Sequence, residues 1–469
     1  MYVQVSIPIS SFKTFTYSAE NIDNIFIFPG QSVIVSFRNV LVNGFIVSII
    51  KKPKFKGKIL SIKSVNDESF HISNELWKTI NWISKYYICS IGKTLHSTIP
   101  FQHITKLNFK INKKVNITNL GIHAVLNNLI KYPNQIKILK HLNNNNGYLY
   151  NDLKNVSTLF RITCKRLEEL KLIEIFSSNI DSIKNTKKYQ LTTHQNNISH
   201  KIISDWKIHN KPALLSGVSG SGKTLIYIDL IKSFIKKNKD IIVLVPEIAL
   251  IRELYNILDQ YFPNMIVSWH SKMKISDKKE SLLKIKTNQA KIVISTRSGL
   301  FAPLSNLGLI VIDEEQEASY KEDGKAPYYN TRDVALMRAN FSNSNIILVS
   351  SSPSLESFFN GNKNSFSTYS LKNRFNQYDL PKILIVNMKN KENYGKGLGI
   401  ISRKLIEEIE INLNNNKQIL LLHNRIGDHI KKIENKIKKL FPNSNIARYD
   451  RESIQVHGYD SFLDQFHNN

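Results

Sequence analysis

The 469-residue chain has 42% hydrophobic residues and a formal net charge of +28, from 65 Lys and Arg against 37 Asp and Glu. That is room for three or four domains of ~100–200 residues with sizeable cores. Two lone cysteines, Cys89 and Cys164, exclude a disulfide framework and a cysteine-based zinc site, and each reads as a small buried hydrophobe. The start, MYVQVSIPIS, lacks the basic and apolar regions of a signal peptide, and no run approaches the ~20 apolar residues of a membrane span. A cytoplasmic protein without a membrane partner is therefore expected. The charge permits a polyanion such as nucleic acid. It does not diagnose one, because the chain is crowded with Lys, Asn and Ile, as an AT-rich genome produces.

Alternation predicts strands at Val3 to Ile7 and Ser32 to Phe37, turns at Pro29-Gly30 and Asn43-Gly44, and a further apolar run from Phe45 to Ile50. A helix from Asn74 to Tyr87 places Leu76, Ile80, Ile83 and Tyr87 on one face. From Gln135 to Phe176, helices at Ile136 to Leu142, near Tyr150 to Lys154 and at Ser157 to Leu172 precede a strand, Ile173 to Phe176. Arg161 and Lys165 on the last helix suit DNA phosphates in a winged-helix unit, or equally the solvated face of a protein-interaction domain. Ser177 to Lys188 is a polar linker. Strands then alternate with helices: Leu214-Leu215, Ile241 to Val245, Lys291 to Ser295, Leu309 to Ile312 and Ile346 to Ser350, as buried parallel strands with crossover helices do. A second cycle is predicted from Leu371, with strands at Ile383 to Val386 and Gln418 to Leu422 and helices at Arg403 to Leu413 and Lys431 to Leu440.

Gly217-Val218-Ser219-Gly220-Ser221-Gly222-Lys223-Thr224 is a full Walker A pattern between an apolar strand and a helix. Its glycines turn backbone N–H groups towards phosphate oxygens, Lys223 reaches the β- and γ-phosphates of ATP, and Thr224 ligates Mg²⁺. The strand ending at Ile312 runs into Asp313-Glu314-Glu315-Gln316, where Asp313 is a candidate for Mg²⁺ and Glu314 for polarising the attacking water. Three further segments follow predicted strands: Val245-Pro246-Glu247, Ser295-Thr296-Arg297-Ser298 and Ser350-Ser351-Ser352-Pro353-Ser354. They lie on the edge where open α/β sheets bind ligands, and Arg297 there is a candidate grip on a strand's phosphates.

The order GVSGSGKT, LVPEIAL, SWHS, STRSGLF, DEEQ, SYKEDGKAPYYNTRD and SSPSLES resembles the primosomal protein N′ (PriA) family of superfamily 2 replication-restart helicases. IPIS, KTFTYS, FPGQSVIVSF and NWISKYYICSIGKTLHSTIP resemble that family's module for the 3′ end of a nascent strand. The likeness implies an α/β fold of two RecA-like lobes, the second incomplete, preceded by a β-rich DNA-end-binding domain and a winged helix. The corresponding spans are 1–108 (end binding), 118–178 (winged helix), 191–370 (first lobe) and 371–469 (partial second lobe). It implies an ATP- and Mg²⁺-dependent 3′-to-5′ helicase on forked and single-stranded DNA, with other primosome proteins and single-strand-binding proteins as partners. It assigns Phe15, Thr16 and Tyr17 to the end-binding pocket, and Tyr320, Tyr328 and Tyr329 to an aromatic loop that couples DNA contact to hydrolysis. Packing of those tyrosines on the lobe surface is the alternative. Gln195 becomes a candidate reader of adenine.

Four departures stand out. Thr16 lies where the family has an aspartate, and Gln316 where it usually has histidine. The family's zinc module, expected after Asn424-Arg425-Ile426-Gly427, has no cysteines here, so no zinc is expected. The last helicase motifs, with the second lobe's arginine finger, would fall beyond Asn469. A competing expectation is therefore a DNA- and nucleotide-binding scaffold that unwinds nothing.

Overall fold

The alternation at the start of the chain folds as an antiparallel sheet in the computed structural model. The structure describes residues 1–9, 11–20, 27–53, 57–66, 72–99, 113–126, 130, 132–144, 148–149, 153, 156–157, 160–170, 172–177, 190–375, 381–390, 393, 401–423 and 428–448. This first sheet comprises β1 (Tyr2–Ser6), β2 (Phe15–Ser18), β3 (Ser32–Phe37), β4 (Val40–Ile50) and β5 (Ser64–Val65), in the order β2-β1-β4-β3-β5. Val3, Val5, Tyr17, Val33, Val35 and Ile46 fill its core. The turn expected at Asn43-Gly44 lies elsewhere. Arg38 and Asn39, with φ of 49° and 64°, connect β3 to β4 as a two-residue turn of the primed type does. Gly44 instead sits inside β4, where a Cβ would come within 2.5 Å of Val5 Cγ1. Its glycine is needed for close packing on β1, not for turning.

Helices α1 (Asn74–Tyr86) and α2 (Ile91–Thr98) follow, each N-capped by a serine, Ser73 and Ser90. The predicted stripe Leu76, Ile80 and Ile83 is fully buried. It packs into one core with Phe301, Tyr329, Val334, Ala335 and Ala339 from the region beyond residue 190. A second sheet holds β6 (Lys113–Ile117) between β7 (Tyr148–Leu149) and β8 (Ile173–Ser177), all antiparallel. It is packed with α3 (Asn119–Leu126), α4 (Pro133–Asn144) and α5 (Phe160–Glu169) around Val115, Ile138, Leu139, Leu142 and Leu167. Strand β6 and α3 were not predicted from sequence. The helix expected near Tyr150 to Lys154, apart from Leu153, and the linker beyond Ser177 lie outside the described residues.

The third sheet is parallel throughout, in the order β11-β12-β10-β13-β14-β9-β15. Its strands are β9 (Ala213–Gly217), β10 (Asp240–Leu244), β11 (Ile266–Trp269), β12 (Ile292–Ser295), β13 (Leu307–Ile312), β14 (Asn345–Ser350) and β15 (Ser367–Leu371). Every residue of β10, β12 and β13 is buried, as continuous apolar runs require when helices cover both faces. The helices are α6 (Thr193–Ile208), α7 (Lys223–Ile235), α8 (Ile248–Asp259), α9 (Ile275–Lys286), α10 (Thr331–Ser342) and α11 (Leu355–Asn362). Strand β11 escaped the sequence reading. Leu371, predicted to open a second cycle, ends β15 beside the P-loop strand.

Residues from Tyr378 on form a separate compact unit. It contains α12 (Arg403–Asn414) and α13 (Asp428–Leu440) around Ile401, Ile409 and Ile437. The strands predicted at Ile383 to Val386 and Gln418 to Leu422 do not form: both segments are described without ladder partners. Ile383, Ile385, Leu420 and Leu422 are 83%, 93%, 84% and 87% exposed. An apolar run becomes a buried parallel strand only when neighbouring strands accept its hydrogen bonds, and the described residues supply none here. Asn424 to Gly427 and Tyr449 to Arg451 lie outside the described residues. Among those described, no helix is long and apolar enough to cross a membrane.

One ion pair joins the N-terminal helices to the parallel sheet. Arg338 on α10 is completely buried, with Nη2 at 2.9 Å and Nε at 3.3 Å from the two Glu75 carboxylate oxygens of α1. It also donates to the carbonyls of Leu300 and Ala302. Breaking a buried pair strands the remaining charge, whereas replacing both partners removes the demand. Arg338→Ala should therefore cost about 3–5 kcal/mol in a denaturation experiment. Arg338→Met combined with Glu75→Leu should recover most of that loss. A single-mutant cost below about 1 kcal/mol, the range of an exposed pair, would contradict this account.

Candidate active site

Strand β9 delivers the glycine loop to the carboxyl edge of the sheet. Gly220 and Gly222 have φ of 78° and 82°, a left-handed backbone that side chains resist. A Cβ on Gly222 would also lie 2.2 Å from Gln195 Nε2. The loop is tied to its surroundings through Val218 N–H on the Leu371 carbonyl (3.3 Å) and Phe375 N–H on the Gly220 carbonyl (2.9 Å). Ser219 is exposed, while Ser221 is buried and its Oγ has no hydrogen-bond partner among the described residues. Lys223, the first residue of α7, is buried and donates from Nζ to the carbonyls of Gly217 at 2.7 Å and Val218 at 3.4 Å. Burial lowers its pKa, against the opposing pull of the Glu314 and Asp313 carboxylates.

Strand β13 brings those carboxylates to the same edge, and four consecutive side chains take four sets of partners. Asp313 Oδ2 accepts from the Tyr227 hydroxyl at 3.1 Å, and Oδ1 from the Glu314 N–H at 3.0 Å. Burial pushes the Asp313 carboxyl up to about 6 despite the Tyr227 hydrogen bond. Glu314 has φ of 47°, a left-handed backbone uncommon for a residue with a Cβ. Its Oε2 accepts from Gln316 Nε2 at 2.8 Å and Ser351 Oγ at 3.2 Å. Glu315 is buried, accepting from Ser354 N–H and Oγ, Ser357 Oγ and Arg332 Nη1 at 2.8 to 3.3 Å. Gln316 Oε1 accepts from Ser350 Oγ. The serine segment follows β14, which lies between β13 and the P-loop strand. It is thus bonded to two of the acids, Glu314 and Glu315, and to Gln316 beside them.

Tyr227 is the residue that sequence reasoning missed. It is fully buried on α7, and its hydroxyl donates to Asp313 Oδ2, with the Thr224 side chain beside it. The two residues suggested as Mg²⁺ ligands therefore flank one hydroxyl. A buried carboxylate whose protonation is favoured by desolvation is a group that a divalent cation would relieve, and Thr224 supplies a neighbouring hard oxygen. The donor set fits Mg²⁺.

Other candidates sit differently from expectation. Gln195 is 2% exposed, and both ends of its amide are occupied. Oε1 accepts from Thr192 N–H at 2.9 Å and Nε2 donates to the Ser221 carbonyl at 2.9 Å, so it braces the P-loop. Arg297 lies across the loop that follows the acids. Its Nη2 is 3.2 Å from Glu322 Oε2, and Nη1 donates to the carbonyls of Ser319 at 3.2 Å and Lys321 at 2.7 Å. That loop also meets the N-terminal helices: Asn330 N–H donates to the Tyr87 hydroxyl at 3.0 Å, and Ser97 Oγ to the Ala326 carbonyl at 2.8 Å. The expectation that three tyrosines offer their rings to DNA needs correction. Tyr320 and Tyr329 are 2% and 4% exposed, part of the core, and only Tyr328 is open, at 54%. The Tyr320 hydroxyl donates to the Asp313 carbonyl at 2.7 Å, which binds the loop to the acids from within.

In the first sheet, Phe15 and Tyr17 project to the core side of β2, Phe15 edge-on to Phe37 with ring centroids 4.8 Å apart. The Tyr17 hydroxyl donates to the Ser36 carbonyl at 2.9 Å. Thr16 points the other way and accepts from Gln4 Nε2 at 2.9 Å. Arg161 and Lys165 fall on α5, and their side chains lie outside the described residues.

Comparison with known proteins agrees with this layout. The family model for the 3′ DNA-binding domain (3′BD) matches residues 4–100, and that for the type III restriction enzyme res subunit matches residues 188–367. The replication restart protein PriA of Rickettsia conorii is 31% identical over 398 residues, covering 85% of this chain and 50% of its own. That of Chlamydia pneumoniae is 29% identical over 446 residues, covering 92% and 59%. Its Bacillus subtilis counterpart is 36% identical over 218 residues, covering 46% and 27%. The chain belongs to the PriA family. It spans about half the length of the curated relatives it matches.

The Tyr227 contact yields a direct test. Tyr227→Phe keeps the ring but leaves a buried carboxylate oxygen without its donor, which should cost about 1–3 kcal/mol of stability. A denaturation midpoint indistinguishable from that of the unaltered chain would show that the hydroxyl does not hold Asp313.

Proposed function

We propose that the chain is an ATP-dependent DNA helicase of replication restart, moving 3′ to 5′ and loading at forked DNA. The observation that carries this reading is the Tyr227 hydroxyl of the P-loop helix bonded to Asp313, which joins that helix to the acids in a member of the PriA family. In this reading Lys223 leaves the Gly217 and Val218 carbonyls for the β- and γ-phosphates, while the loop N–H groups cradle them. Thr224 and Asp313 hold Mg²⁺, which neutralises charge developing on the phosphates. Glu314, held by Gln316 and Ser351, orients the attacking water. The serine segment bonded to Glu314, Glu315 and Gln316 is placed to sense the γ-phosphate. Residues 4–100 capture a 3′ end on the Thr16 side of β2, where Thr16 offers a neutral hydroxyl to the terminal sugar, while Phe15 and Tyr17 support the strand from the core side rather than touching the end. Residues 118–178 act as a winged helix in which Arg161 and Lys165 meet phosphates, and other primosome and single-strand-binding proteins are partners.

A second reading is a restart scaffold that binds nucleotide and DNA without unwinding. The exposure of Ile383, Ile385, Leu420 and Leu422 outside any strand favours it, because a motor closes ATP against a second lobe whose strands are buried.

Three measurements on the full chain test the sites, and the second of them separates the two readings. Lys223→Ala should abolish ATP binding while far-ultraviolet dichroism is unchanged; undiminished affinity would remove the P-loop assignment. ATP-dependent strand displacement on forked DNA, lost in Glu314→Gln, is expected of the motor. ATP binding with no displacement and no DNA-stimulated hydrolysis supports the scaffold. Ends bearing a 3′-hydroxyl should bind more tightly than 3′-phosphate ends, and equal binding would exclude end capture.

A further inference from the structure

Helix α1 buries one face and exposes an aromatic stack on another. Trp82 and Tyr86, one turn apart, lie with ring centroids 4.7 Å apart and planes 18° from parallel. Tyr87 closes the cluster edge-on, 5.0 Å from Tyr86 and 6.0 Å from Trp82. The apolar stripe of α1 is already used against α10 and the lobe, yet Tyr86 remains 62% exposed and Ile88 81% exposed. A stacked pair with one ring face turned outward costs solvation without completing a core. Tyr87 also accepts from the N–H of Asn330, two residues from the open ring of Tyr328, so the stack and the loop tyrosine meet at one junction.

The charges around this junction favour a polyanion. Lys78 and Lys85 are exposed on α1, and Lys321 and Lys325 on the loop. Of the nearby acids, Glu75 is paired with Arg338 and Glu322 with Arg297, while Asp333 shares Arg332 with Glu315 and Glu356 and Asp323 is exposed, so the four lysines outnumber the acids left to oppose them. Flat aromatic faces among lysines suit unpaired bases and their phosphates, with each base–aromatic stack worth ~1–3 kcal/mol.

We propose that the Trp82–Tyr86 stack and Tyr328 form one base-stacking platform for single-stranded nucleic acid, running across the junction between α1 and the loop. Bases stack on the outer face of Tyr86 and continue onto Tyr328, while the lysines contact the backbone. The platform rests on the nucleic-acid reading above but is separate from Phe15, Thr16 and Tyr17 and needs no strand end.

The test uses a fluorescent circular oligothymidylate, which has no 3′ end, and an abasic circle of the same length, titrated into the full chain. Tyr86→Ala and Tyr328→Ala should each weaken binding to the oligothymidylate about 5-fold or more, and Tyr86→Phe should not. Binding to the abasic circle should be unchanged by all three. Melting temperatures of the variants check the fold, which the exposure of both rings leaves intact. If the unaltered chain binds neither circle, the platform is overturned, while the comparison of 3′-hydroxyl with 3′-phosphate ends decides the nucleic-acid reading by itself. If it binds the oligothymidylate and both alanine variants bind equally well, the platform is overturned while the nucleic-acid reading stands, and the stack belongs to a protein partner.

Discussion

Strand β13 carries six buried residues straight into four consecutive polar ones, and a carboxylate at the mouth of an apolar sheet is tolerable only if something donates to it. That demand organises the neighbourhood. Asp313 draws the Tyr227 hydroxyl from α7, Glu314 and Gln316 draw the serines after β14, and Glu315 draws Arg332 and the N-cap serine of α11. These donors come from α7, α10, the end of β14 with the segment after it, and the start of α11. The acids thereby fix the mutual position of the P-loop helix, the serine segment and the helices that follow, at an edge where backbone N–H groups face outward. The left-handed backbone at Glu314 is the local cost of directing neighbouring side chains so differently.

The same acids connect inward to the aromatic loop. Tyr320 donates to the Asp313 carbonyl, Arg297 clasps the first half of the loop, and Tyr87 and Ser97 hold the second half. The buried Arg338–Glu75 pair keeps α1 against α10, so those last two contacts come from a fixed support. A displacement of the loop at Tyr328 is thus resisted at both ends and felt at Asp313. Interiors packed in this way pass small shifts along because they cannot absorb them.

The chemistry of phosphate binding is local, and so it was legible. Gly217 to Thr224 must place glycines, a lysine and a hydroxyl within eight consecutive positions, and the strand and helix around them follow from apolar runs. What failed to show was non-local. Tyr227 reads as one more apolar position of α7 until its partner, 86 residues away, is brought beside it. Tyr320 and Tyr329 read as aromatic surface because burial is decided by α10 and the N-terminal helices, not by their own segment. Arg297 and Gln195 looked available because their acceptors lie on other loops. Strand β6 (KKVNI) has only two apolar residues, and β11 (IVSW) breaks its apolar run with a serine, where β12 (IVIS), of similar length, keeps three together. The runs at Ile383 and Leu420 carried the composition of strands without the neighbours that make one.

The central claim is that the acids, the P-loop helix and the aromatic loop respond as one unit. Hydrogen exchange of the full chain, measured with and without Mg²⁺ and ATP, tests it most directly. Slowed exchange should extend together over 217–224, 313–316 and 319–330, and Tyr227→Phe should uncouple the last two from the first. Protection confined to 217–224, with exchange elsewhere unchanged by nucleotide, would contradict the account.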